Sequence, residues 1–263
     1  MIGALLFPTA LVGLVVGSFL NVVAHRVPLG RSVVRPRSAC PACGSQIRPT
    51  DNIPLLSWLI LRGRCRDCAA PISARYPLVE AATGVLFVGV VVRLMVVADL
   101  PAAVPAYLYL AAIAVILTLI DLQTRRLPNA IVLPSYPVLA VLLTLASWGS
   151  ADWHALLRAL IGGAALWLVY FCLLLVRQGA MGFGDVKLAG VLGAGLAWLG
   201  WGTLVVGAFA AFLLGGLVAV GLLLARRAGR GSRIPFGPWM FAGAAVGVAV
   251  GEPLWSWYLA LMV

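Results

Sequence analysis

The sequence predicts an all-α, polytopic membrane protein of about eight transmembrane helices with a small four-cysteine, zinc-ribbon-like insertion after the first helix. Three observations predict it. Of the 263 residues, 63% are hydrophobic and only 10% are charged, too little polar surface for a water-soluble domain of this length. Apolar runs close to the roughly 20 residues that cross a bilayer recur along the chain. The basic residues gather in alternate loops, as the positive-inside rule requires.

The first run, Met1 to Ala24, has no basic n-region, and its first arginine, Arg26, follows the run. That pattern is a retained first transmembrane helix, Gly3–Ala24, rather than a removable signal. Further spans are expected at Leu78–Ala98, Ala102–Ile120, Ala130–Trp148, Ala155–Val176 and Trp239–Met262. The uncharged stretch of 38 residues from Leu188 to Ala225 is long enough for two crossings, with Gly200-Trp-Gly202 as the break. The chain thus divides into a first helix (residues 1–24), a polar segment (25–77) and a seven-helix domain (78–263). Glycine pairs such as Gly162-Gly163 and Gly215-Gly216 lie inside the expected helices, where small residues let backbones approach.

Orientation follows from charge. Seventeen of the 19 basic residues, from Arg26–Arg75, Arg125–Arg126, Arg177, Lys187 and Arg226–Arg233, fall in loops on one side; only Arg93 and Arg158 fall on the other. This sets the polar segment in the cytosol and accounts for the net charge of +11 without nucleic acid as a partner.

Four of the five cysteines lie in Cys40-Pro-Ala-Cys43 and Cys65-Arg-Asp-Cys68. Two CxxC knuckles supply four thiolates, which close a tetrahedral zinc site with no open position, hence a structural one. Disulfides are the alternative, and a reducing cytosol disfavours them. A segment of this size has too small a core to stand alone, and a metal would fasten it. Cys172, alone in an apolar helix, is read as core packing.

Two acids stand out by position. Asp121 lies where the third span reaches the cytosol, and Asp185 where the sixth begins, within Met181-Gly-Phe-Gly-Asp-Val-Lys187. An acid inside a span costs about 2.5–3.5 kcal/mol on insertion, so it usually lines a cavity or finds a partner. Gly182 and Gly184 permit close approach of an extended peptide beside Asp185. Pro128, with Pro134 and Pro137 downstream, is expected to discourage regular helix just after Asp121 and to favour a loop that shapes the site. Two carboxylates that share one proton hydrolyse peptides without a covalent intermediate: one activates water and the other protonates the carbonyl oxygen and the leaving amine. The competing reading pairs the acids with Arg125, Arg126 or Lys187. The only histidines, His25 and His154, lie on opposite sides, and no HExxH or GxSxG occurs, which removes zinc-protease and serine-triad chemistry.

With those motifs in order, the chain resembles the bacterial type IV prepilin peptidases, a GxGD-type family of intramembrane aspartyl proteases. The resemblance runs through Gly17-Ser-Phe-Leu-Asn-Val-Val-Ala-His-Arg-Val-Pro28, the double CxxC, Asn52-Ile-Pro-Leu-Leu-Ser57, Ile72-Ser-Ala-Arg-Tyr-Pro-Leu-Val-Glu80, the two aspartate motifs and Ile234-Pro-Phe-Gly-Pro238. It implies that Asp121 and Asp185 are catalytic and that Cys40, Cys43, Cys65 and Cys68 bind structural zinc. It also implies removal of the basic leader from prepilins and pilin-like proteins at the cytosolic face of the bacterial inner membrane. Many members methylate the new N-terminus with S-adenosylmethionine, for which a segment of this size holds no Rossmann domain. Glu80, Gly182, Gly184 and Lys187 are the candidate substrate contacts, with an ion pair to Arg75 as the alternative for Glu80. The Ile234–Pro238 motif is a re-entrant turn near the site or a loop into the last helix. Two rival functions remain: an ion- or proton-coupled transporter using the paired acids, and an assembly factor docking through the cysteines.

Overall fold

In a bilayer no water is available to satisfy a backbone amide, so a spanning chain closes its own hydrogen bonds in helices. The computed structural model describes residues 2–176, 181–226 and 235–262. Arg177, Arg227, Arg230, Arg233 and Ile234 lie outside the described residues. The described chain is helical: α1 Ile2–Arg26, α2 Leu56–Ile60, α3 Arg75–Val91, α4 Val104–Thr124, α5 Asn129–Ser150, α6 Trp153–Val176, α7 Phe183–Leu199, α8 Trp201–Leu224 and α9 Gly237–Ala260. Among the described residues β-structure is confined to two isolated bridges, Ala39 to Gln46 and Arg64 to Pro71.

The eight long helices among the described residues fall at the eight expected positions. Six are long and apolar enough to cross a membrane: α1, α3 with its π-helical extension Val92–Val97, α4, α5, α6 and α8. The exceptions have physical causes. The 17 residues of α7 reach only about 25 Å, and they are buried on nearly every side against α5, α6, α8 and α9, as befits a helix apolar all round. Helix α9 carries Glu252, Pro253 and several glycines among its 24 residues, which lower its hydropathy. After Asp121 the chain leaves helix over residues 125–128, where Pro128 stands, and α5 then runs through Pro134 and Pro137 without a break. Open backbone at that depth would cost more than the two missing donors.

Two compact units emerge, Met1–Asp99 with Ala111–Ile116, and Leu100–Leu110 with Leu117–Val263. In the first, α1 lies along α3 with almost nothing between the backbones: a Cβ on Gly13 would stand 2.7 Å from the Gly84 Cα, and one on Gly17 would stand 2.8 Å from the Glu80 Cα. The polar segment follows α1, and Trp58 from α2 donates its indole N–H to the Ile72 carbonyl at 3.1 Å.

In the second unit, α7 is the axis. Tyr136 of α5 donates its hydroxyl to the Lys187 carbonyl at 2.6 Å, Tyr107 of α4 donates to the Gly195 carbonyl at 2.6 Å, and the Trp198 indole donates to Ser147 Oγ at 2.9 Å. Gly162 and Gly163 of α6 face Gly193 and Gly190 of α7. A second small-residue seam joins α8 to α9, where Gly243, Gly247 and Gly251 meet Ala211, Gly207 and Thr203. Such seams replace the hydrophobic effect, which gives helices no reason to associate within lipid. Between α7 and α8 the break at Gly200 is held from both sides. Arg158 donates to the Trp198 carbonyl (3.2 Å), and Glu252 accepts from the Thr203 amide (3.1 Å), each charge complementing a helix end. Cys172 is exposed on α6, which corrects the expectation of core packing.

At Gly247 a Cβ would lie 2.6 Å from the Thr203 carbonyl oxygen, whereas at Gly216 nothing lies within 4 Å. Gly247→Leu should therefore lower stability by about 1–3 kcal/mol or more through overpacking. Gly216→Ala should leave it unchanged or raise it by roughly 0.5–1 kcal/mol. Thermal melts of the two variants in detergent measure the difference.

Candidate active site and metal centre

Local structure builds each half of the acidic site from a helix end. Asp121 sits in the last turn of α4, which stops three residues later, at Thr124, because Arg125 takes a left-handed conformation (φ 53°) and its amide returns to the Asp121 carbonyl at 2.8 Å. The Asp121 side chain is buried, and its Oδ2 accepts the Gly237 N–H at 3.0 Å. Gly237 is the first residue of α9, so this carboxylate lies at that helix's N-terminus, where amides have no partner within the helix. Asp185 occupies the first turn of α7, half-buried, and its Oδ2 accepts the Gly182 N–H at 3.0 Å. Both acids thus receive one backbone donor each at the start of a helix.

The two carboxylates lie within electrostatic range of each other. Among the described residues neither makes an ion pair, the salt bridges being Arg48–Asp67, Arg66–Asp51 and Arg158–Asp152. The competing pairing with Lys187 is absent. Its Nζ donates to Asn129 Oδ1 at 2.9 Å and lies 4.7 Å from the centre of the Phe183 ring.

Two residues that sequence reasoning passed over complete the geometry. Leu127 lies against both glycine-bearing helix starts: a Cβ on Gly184 would be 3.0 Å from the Leu127 Cβ, and one on Gly237 would be 3.5 Å from its Cδ2. The open side of Gly184 is therefore filled by this chain's own leucine, whereas exposed Gly182 meets little beyond Asp185. Tyr170 of α6, fully buried, packs its ring 5.3 Å from Phe212 and 6.2 Å from Phe236, and it lies within electrostatic range of Asp185. Pro238 signals a helix start at the Ile234–Pro238 motif. That Gly237 offers its amide to a residue 116 positions away has no local signature.

The cysteine segment forms two matching knuckles. Cys40 N–H donates to the Ser45 carbonyl and Gly44 N–H to the Cys40 carbonyl; Cys65 N–H donates to the Ala70 carbonyl and Ala69 N–H to the Cys65 carbonyl, all at 2.8–3.0 Å. The residue after each second cysteine has positive φ, 75° at Gly44 and 57° at Ala69. All four Sγ atoms lie within 4.8 Å of one another, and those of Cys40 and Cys68 are 3.8 Å apart. A tetrahedron with Zn–S bonds of about 2.3 Å has sulfurs about 3.8 Å apart, so the cluster fits a metal ion. All five cysteines are free thiols. Crowding splits their acidities. Bonds from Ser45 bring the Cys43 thiol down to about 6; the Ala70 amide favours the Cys68 thiolate, but neighbouring thiols push Cys68 up to about 12. Four thiols that cannot all ionise together are what a divalent cation relieves.

Glu80 is buried in the first unit and pairs with no arginine among the described residues. Its Oε2 accepts the N–H of Leu55 at 2.8 Å, in the turn where Leu55 holds φ 61°. Ser57 braces the same turn by accepting the Ile53 amide and donating to the Thr50 carbonyl.

Comparison with known proteins decides the lineage. Residues 11–94 match the family model for the bacterial peptidase A24 N-terminal domain, and residues 108–220 match the type IV leader peptidase family. The chain belongs to the type IV leader peptidase family. Its similarity to curated relatives is continuous. It is 38% identical to the prepilin leader peptidase/N-methyltransferase of Aeromonas hydrophila over 95% of this chain and 92% of that protein. The protein of the same name in Burkholderia pseudomallei (strain 1026b) is 38% identical over 92% of this chain and 84% of its own. The one in Pseudomonas aeruginosa is 36% identical over 95% and 92%. No solved structure matches the chain.

The Glu80 bond generates a prediction. Glu80→Ala should speed hydrogen exchange at the Leu55 amide by on the order of tenfold, because a part-buried donor is left without its acceptor. Glu80→Gln, which keeps an acceptor, should do so less. Exchange mass spectrometry over residues 50–60 reads both.

Proposed function

We propose that this leader peptidase homologue is an aspartyl endopeptidase of the bacterial inner membrane that removes the basic leader from type IV prepilins and pilin-like proteins at the cytosolic face. The observation that carries the reading is the pair of acids, Asp121 and Asp185, each held by one helix-start amide and free of ion pairs among the described residues. One of the two is ionised and takes a proton from water as its oxygen attacks the scissile carbonyl carbon. The other is protonated and gives its proton to the carbonyl oxygen. Collapse of the tetrahedral species breaks the C–N bond, and a proton passes to the leaving amine. The acids titrate as a coupled pair. An extended substrate approaches Asp185 past Gly182, the exposed glycine of the motif, rather than past Gly184. Lys187, tied to Asn129, shapes the entrance. Outside the pair, Gly237 holds Asp121 in place.

In this reading Cys40, Cys43, Cys65 and Cys68 hold a structural zinc ion, which supplies no chemistry to the reaction and keeps the two knuckles together. The relatives' names also carry an N-methyltransferase activity, and S-adenosylmethionine is the donor that such an activity needs. The described residues contain no strand–turn–helix cradle for it, and no step of peptide hydrolysis passes through it. The inward orientation rests on the arginine bias, and the ion-coupled transporter has no observation in its favour.

Asp121→Asn and Asp185→Asn should each lower cleavage of a co-expressed prepilin by about 10²–10⁴-fold, with zinc content and melting temperature retained. Cleavage near the wild-type rate in either variant contradicts the proposal. Gly237→Ala, whose Cβ would stand 2.8 Å from Asp121 Oδ2, should also slow cleavage, because the amide contact is pushed apart.

Cys40→Ser or Cys65→Ser should remove zinc from the purified protein and expose residues 25–77 to protease. Full zinc occupancy in both variants contradicts the assignment, as does a wild-type protein whose four thiols are oxidised and metal-free.

A further inference from the structure

We propose that the groove at the Arg26 end of α1 binds an anionic phospholipid, with Arg26 and Arg37 on its phosphate and one acyl chain along α1. The groove has a volume of about 330 Å³, and its walls include Val15, Phe19, Val22 and Arg26 from α1 and Pro36 and Arg37 from the loop opposite. Its two ends differ chemically. Positions 15, 19, 22 and 26 share one helix face, so the apolar track and the arginine lie in line over about 16 Å. Val15 and Phe19 are 60% and 52% exposed, and α1 is long and apolar enough to cross the membrane, so this face is continuous with surface that meets acyl chains. At the polar end the Arg26 guanidinium is steadied by a bond from Nη1 to the Ser32 carbonyl at 3.0 Å, which leaves its other donors available to a ligand.

Charge selects the ligand. From His25 to Thr50 the sequence contains five arginines and no acid, and among the described residues neither Arg26 nor Arg37 has an ion-pair partner. Planar arginine forks match phosphate oxygens, and a basic pocket beside a helix end in the membrane interface is the setting in which anionic headgroups bind. A free phosphate would leave the apolar half of the groove unfilled. A basic leader peptide would be repelled. A second copy of the chain would bring like-charged rims together.

Native mass spectrometry of the detergent-purified protein tests the proposal with dioleoylphosphatidylglycerol, dioleoylphosphatidylcholine and glycerol phosphate as separate probes. The wild-type chain should retain one phosphatidylglycerol at least tenfold more tightly than phosphatidylcholine, and glycerol phosphate should not displace it. The double variant Arg26→Gln/Arg37→Gln should lose that preference. Arg31→Gln/Arg35→Gln, which removes the same charge from exposed residues outside the groove, should keep it. Val22→Trp, which fills the acyl end and leaves both arginines, should weaken binding about tenfold, so a folding failure of the first variant does not decide the matter. Equal loss in the two double variants would mean diffuse attraction and overturn the site. So would displacement by glycerol phosphate alone, retention of both lipids alike, or a protein dimer in place of bound lipid that Val22→Trp abolishes.

Discussion

A carboxylate carried into a membrane protein needs hydrogen-bond donors that lipid cannot provide, and the first turn of a helix is where backbone donors stand unused. Asp121 and Asp185 both take this solution. Asp121, at the end of α4, borrows the first amide of α9. Asp185, inside the first turn of α7, reaches back to the amide just before it. Each acid keeps further oxygen lone pairs for other partners, and each is held by a backbone atom, which has no rotamers to lose. A side-chain donor such as lysine would have neutralised the acid as well as positioned it, and Lys187 is instead engaged by Asn129 and Phe183.

For two helix starts to meet a third helix's end, the bundle around them must be rigid, and the small-residue seams provide that. The α8–α9 seam of Gly243, Gly247 and Gly251 fixes where α9 begins, and hence where Gly237 points. The α6–α7 seam fixes the register of α7, and hydroxyl bonds from Tyr107 of α4 and Tyr136 of α5, with the Trp198 indole of α7 donating back to Ser147 of α5, secure it. Leu127 then spaces the two glycine-bearing helix starts. Short, buried α7 is thus anchored on every side, and the membrane thickness is spanned by the longer helices around it.

Much of this was legible in the sequence, because bilayers impose patterns that survive without an alignment. Hydropathy placed all eight long helices, the break at Gly200 included, and the CxxC spacing found four sulfurs that the fold does gather. Contacts at long sequence separation were not legible. Nothing around Glu80 announces that its partner is the Leu55 amide, and nothing around Gly237 announces Asp121. Pro134 and Pro137 do not lengthen the loop after Asp121, because proline's local cost is weighed against helix rupture in lipid, a term absent from its behaviour in water. Lys187 does not pair with Asp185, because a cation two residues from an acid on a helix points to a different face, where Asn129 waits.

The proximity of the two acids is measured most directly by cross-linking. In a Cys172→Ser background with zinc bound, the pair Asp121→Cys and Asp185→Cys should be joined by a short bifunctional thiol reagent within one chain. Peptide mass spectrometry should recover the end of α4 linked to the start of α7. Quantitative modification of both thiols without any intramolecular link would contradict a shared catalytic site.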